Sequence, residues 1–146
     1  MNRISLITGL FLISLLPLPA TVADEHVVVS PDNLKWGAAP PAFPKGAQIA
    51  ALSGDPSKEG LYVVRLKIPA GYKVPPHVHP NDETSGGGDK LDEKKGDALK
   101  AGGFARTPKD MQHYAWFTED TIVHLHGMGP QSITYVNPAD DPRKSN

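Results

Sequence analysis

Four side chains in this sequence have the types and spacing to hold a metal ion. His77 and His79 stand two apart in the run Gly71-Tyr-Lys-Val-Pro-Pro-His-Val-His-Pro-Asn-Asp-Glu83, and Glu83 follows four residues later. His113 sits in a second patterned run, Gly102 to Phe117. On an extended strand, residues i and i+2 project from one face, so His77 and His79 would present two imidazoles together. Glu83 can return from the turn that follows, and His113 must come from another strand. Neutral imidazole suits zinc, copper, iron and nickel, and a carboxylate admits manganese. With no thiolate in the set, the site resembles catalytic centres that keep open positions more than closed structural zinc sites. A His-x-His pair alone is common on solvated loops. The second run at Gly102 to His113 is what raises the reading above that.

The elements that must position these residues read as strands. Proline (15) and glycine (14) are spread through the chain and long helical periodicity is absent. Short apolar runs between turns argue for an all-β domain. The clearest is Leu61 to Ile68, where Tyr62, Val64, Leu66 and Ile68 alternate with Arg65 and Lys67. That is the period of a half-buried strand. Further strand candidates are Gln48 to Leu52, Gly103 to Arg106, His113 to Phe117, Thr121 to His126 and Ser132 to Val136. Residues 24–46 are proline-rich and read as an extended arm wrapping the domain. Residues 84–101 open on Thr-Ser-Gly-Gly-Gly-Asp, which is linker-like in composition, and continue into a charged stretch.

The N-terminus reads as a targeting segment. Arg3 precedes an apolar run from Ile4 to Leu16, and Thr21-Val22-Ala23 offers small residues for cleavage after Ala23. The run is shorter than the roughly 20 residues a membrane span needs, so a secretory signal peptide over residues 1–23 is expected. Losing Arg3 with it leaves 14 basic against 16 acidic residues, a net of −2. No basic patch suggests a nucleic-acid partner. The chain has no cysteine, which excludes disulfides, thiolate ligands, a cysteine nucleophile and a lipid-modified N-terminal cysteine. A periplasmic or secreted protein without a stable membrane anchor follows as the expectation.

With these residues in place, the chain resembles the cupins, and within them small exported bacterial single-domain cupins of uncharacterised function. Their first motif, G-x5-H-x-H-x(3,4)-E-x6-G, is met by Gly71, His77, His79 and Glu83. Their second, G-x5-P-x-G-x2-H-x3-N, is met by Gly102, Pro108 and His113, with Asp110 in place of the glycine and Phe117 in place of the asparagine. The resemblance covers residues 47–137, leaving 138–146 as a C-terminal tail. It implies a cupin-like β-barrel (a double-stranded β-helix or jelly roll) in which His77, His79, Glu83 and His113 bind one divalent transition metal, iron, manganese, nickel or zinc. A metal-dependent oxidoreductase or dioxygenase acting on a small molecule is the implied activity, with isomerase or lyase chemistry also compatible. A non-catalytic metal-binding or ligand-binding module is the alternative. Pairing through edge strands into a homodimer is a further expectation. One departure stands out: only 18 residues separate Glu83 from Gly102, so the barrel is expected to lack one internal hairpin after Glu83.

Other residues carry weaker signals. His124 and His126 repeat the His-x-His spacing, with Val123 and Leu125 on the opposite face. They would either line the pocket as proton carriers or sit on the solvated face of a strand, and the second is favoured. Tyr114, Trp116 and Phe117 read as barrel packing, with Phe117 facing the pocket. Arg106 would pair either an anionic ligand or a surface carboxylate.

Overall fold

The computed structural model describes residues 26–82, 96 and 98–144. Its strands are β1 (Gly37–Ala38), β2 (Gln48–Ser53), β3 (Gly60–Ile68), β4 (Lys73–Val78), β5 (His113–Trp116), β6 (Thr121–Gly129) and β7 (Thr134–Tyr135). Short 3-10 turns at Pro31–Asn33 and Pro138–Asp140 flank them. All described pairings are antiparallel. One sheet has the order β1-β2-β3-β6 and the other β5-β4-β7. The strands are short and interleaved between the two sheets, as in a jelly roll.

Strand β3 organises the first sheet. Tyr62, Val64, Leu66 and Ile68 are buried while Leu61 and Lys67 are exposed. The β branches and rings of this run favour an extended backbone. Across from it β6 pairs in unbroken register from Ile68↔Thr121 to Gly60↔Gly129. Gly127 lies on the inner face of β6, where an added Cβ would come within 2.9 Å of the Tyr62 hydroxyl oxygen. A side chain here would displace Tyr62, so glycine is what lets the ring lie under the strand. Between the sheets, Leu66, Ile68, Tyr72, Val74, Ile133 and Tyr135 form the main core, against which Phe117, Ala115 and Val123 pack. Phe117 thus faces inward as expected.

Several sequence expectations change. Gly103 to Arg106 is not a strand; two adjacent glycines and a turn closed by Gly103 N–H to the Lys100 carbonyl give it no partner to extend against. Strand β6 runs three residues beyond His126, because Gly60, Leu61 and Tyr62 supply partners to its end. Strand β7 is only Thr134–Tyr135. Among the described residues between β4 and β5 no strand forms. The hairpin expected to be missing after Glu83 falls largely on residues outside those described. The proposed signal peptide lies outside them too.

The arm is tied down rather than merely draped. Its Gly37–Ala38 pairs with β2, the Tyr72 hydroxyl donates to the Pro44 carbonyl at 2.6 Å, and the Tyr135 hydroxyl donates to the Ala42 carbonyl at 2.7 Å. Burial, with Asp141 nearby, pushes the Tyr135 phenol up to about 12, so it remains a donor at physiological pH. Tyr135→Phe keeps the ring and deletes one bond, which is worth about 1 kcal/mol. The expected result in urea denaturation is a lower midpoint with an unchanged slope.

Candidate metal centre

Strand β4 carries His77, with His79 one residue past its end, and a bulge decides which way they face. Val74 pairs with Ala115 and His77 with His113, so three steps along β4 match two along β5. The extra residue falls in the Pro75-Pro76 stretch. Proline cannot donate to a ladder and is tolerated in strands at bulges. Without the bulge, strict alternation over the three steps from Val74 would turn His77 and His79 outward. With it, both are buried, each 4 % exposed, as is His113 at 1 %. His77 is the aligned partner of His113 on one side and of Tyr135 on the other. The centre is therefore built across the whole second sheet.

The three imidazoles converge. Ring centroids lie 4.1 Å apart for His77–His113, 4.8 Å for His77–His79 and 4.9 Å for His79–His113. One nitrogen from each falls within 4.8 Å of the other two, and among the described residues this is the one such cluster of metal-ligating groups. Each Nδ1 faces a backbone carbonyl: Pro75 at 2.8 Å from His77, Ser132 at 2.7 Å from His79 and Met111 at 3.0 Å from His113. A carbonyl can only accept, so each Nδ1 carries the proton. Each Nε2 then keeps its lone pair for coordination. Such bonds orient metal-binding histidines and raise their basicity. With these nitrogens within 4.8 Å of one another, His77, His79 and His113 are the residues that would hold an ion.

Electrostatics point the same way. The His77 pKa is held down to about 3, chiefly by burial, then by His113 and His79, with the Pro75 hydrogen bond opposing. A neutral imidazole there is ready to coordinate without first losing a proton. Three buried imidazoles with each Nδ1 facing a backbone carbonyl are a donor set suited to a cation.

The loops around the centre are tied to each other. Asp110 N–H donates to the His79 carbonyl at 2.9 Å. Asp110 stands where the resemblance expects glycine, and it adopts φ 59°. Aspartate is among the few side chains that tolerate this left-handed region, so the replacement preserves the turn. Asp82 Oδ1 accepts from Lys109 N–H at 2.9 Å, and its other oxygen accepts from Arg106 at 2.5 Å. Arg106 thus takes the surface-carboxylate role of its two sequence readings. His124 and His126 are exposed on the face of β6 opposite the buried Leu125, which settles them as a solvated face. Tyr114 and Trp116 share a face, with centroids 5.9 Å apart. Glu83 lies outside the described residues. What sequence reasoning missed is the bulge, signalled only by the Pro-Pro pair.

No family model and no curated protein matches the chain. Among solved structures, a candidate acetylacetone dioxygenase of Methylibium petroleiphilum PM1 superposes with a TM-score of 0.62 at 22 % identity. The match covers 86 % of this chain and 89 % of that one. An acetylacetone dioxygenase of Acinetobacter johnsonii superposes with a TM-score of 0.60 at 16 % identity, covering 86 % and 87 %. At this identity the likeness speaks for the fold. Together with the antiparallel sheets, it makes this chain a cupin-like β-barrel with three histidines gathered inside.

Proposed function

We propose that the chain is an exported, mononuclear metal-dependent oxidoreductase of the dioxygenase type, acting on a small molecule. The observation that carries the metal reading is the set of three buried histidines whose Nδ1 atoms are all held by backbone carbonyls. His77, His79 and His113 would hold the ion through Nε2, with Glu83 as the fourth ligand from the turn after β4. A divalent iron, manganese, nickel or zinc ion there would supply Lewis acidity, and iron or manganese also oxygen activation. The protein's part is positional. The Pro75, Ser132 and Met111 carbonyls fix the rings. Burial excludes bulk water, and the Tyr135 ring lies 6.0 Å from that of His77. The same two structures that share the fold make a β-diketone the first substrate to try.

Export rests on the segment Arg3 to Ala23; a homodimer rests on the resemblance alone. Among the described residues no helix is long and apolar enough to cross a membrane.

The test is oxygen consumption by the metal-reconstituted protein with acetylacetone, then a catechol and a thiol. Consumption that requires both metal and one of these compounds, and that vanishes in His113→Ala, is the expected result. Stoichiometric metal with no turnover across the panel would favour the alternative of a non-catalytic binding module.

A further inference from the structure

Three of the most exposed large apolar side chains meet at one place outside the barrel. Leu61 and Met128 are aligned partners at the ends of β3 and β6, and Phe104 comes from the loop before β5. They are 62 %, 54 % and 72 % exposed. Scattered apolar exposure is ordinary, whereas a cluster around a concavity marks a contact site. Here the three line an open groove of about 460 Å³, a volume in the range of small-molecule sites. The histidine centre is not part of its lining.

The polar side of the groove is cationic. Arg106 and Lys109 line it with a single carboxylate, Asp82. Asp82 is taken up by Arg106 and by the Lys109 backbone N–H. That leaves a net charge of +1 among the charged lining residues, on a loop already fixed in place. His126 adds an exposed imidazole N–H on the same wall. The geometry points to a binding site for a small amphipathic monoanion, a carboxylate with a ring or a short alkyl chain. Its apolar body lies against Leu61, Phe104 and Met128, and its carboxylate takes charge-assisted bonds from Lys109 and the remaining guanidinium donors of Arg106. A single net positive charge suits a monoanion better than a phosphate. This site needs no metal and stands apart from the proposed activity.

The two methionines of the described region separate the sites. Met128 lines the groove, and Met111 supplies the carbonyl that holds His113. Methyl-labelled, metal-free protein is titrated with benzoate and with hexanoate, followed by benzamide as the neutral control. Saturable movement of the Met128 methyl with Met111 unmoved is expected, weaker by about tenfold for benzamide and in Lys109→Glu. Phe104→Ala should also weaken it. Equal affinity for benzoate and benzamide, or unchanged affinity in Lys109→Glu, overturns the proposal. So does movement of Met111 alone. A Met128 shift that depends on protein concentration without ligand would assign the surface to a second copy of the chain and would equally overturn it.

Discussion

His77→Ala or His113→Ala is expected to abolish stoichiometric metal in the purified protein, while His124→Ala leaves it intact. Each of the first two removes one of three nitrogen ligands and leaves a cavity at a strand crossing the whole second sheet. Losing even an outer partner of a metal ligand costs about 10–100-fold in affinity, and losing the ligand itself costs more. His124 has the same side chain on the exposed face of β6, so it controls for loss of an imidazole as such. Metal analysis after dialysis reads the result directly. Metal content indifferent to His77 and His113 would sink the assignment. Glu83→Ala is the companion variant, expected to keep the ion at lower affinity because three imidazoles suffice to retain it.

Acidification of the metal-free protein is the second large effect. Above pH 6.5 His77 is neutral whether the chain is folded or not, and it contributes no pH dependence. Below 6.5 the unfolded chain takes up the proton, while the folded one resists until about pH 3. Stability therefore falls with pH across that window. By pH 4 the loss from this one group is about 3 kcal/mol, a large part of the 5–15 kcal/mol that typically holds a domain together. Between 6.5 and 4 the depressed carboxylates do not share in this loss. Asp55, Asp82 and Asp141 have carboxyls held below the ordinary value, chiefly by hydrogen bonds from Ser57, Arg106 and Arg143, so their contributions are lost only at lower pH. His77→Leu should flatten the slope of unfolding free energy against pH in that interval. An unchanged slope would show that burial of His77 is not what resists protonation.

Much of this arrangement was legible in the residues. The alternation of Tyr62, Val64, Leu66 and Ile68 names β3 and its inner face, because a strand's period is the simplest signal a sequence carries. The spacing of His77, His79 and His113 names the side chains that do converge. What escaped is what depends on partners. Strand β1 is two residues long and exists because β2 lies beside it. The last turn of pairing in β6 depends on β3. Gly103 to Arg106 was read as a strand because it is a short run between turns, and no strand forms there. The exposed groove was invisible because Leu61, Phe104 and Met128 are far apart in sequence and meet only at the end of a sheet.

The bulge at Pro75-Pro76 makes β4 a counter as much as a scaffold. Whether the histidines see the interior is set by how the backbone absorbs the odd step between Val74 and His77, not by any contact of the prolines themselves. Substitutions along this stretch alter packing by degrees, and the loss of one residue would remove the bulge and leave His77 two steps from Val74, still on its face. Variation in this chain should therefore be read by pairing first: a β4 that ran regular across all three steps would keep every ligand in the sequence and turn His77 and His79 away from His113.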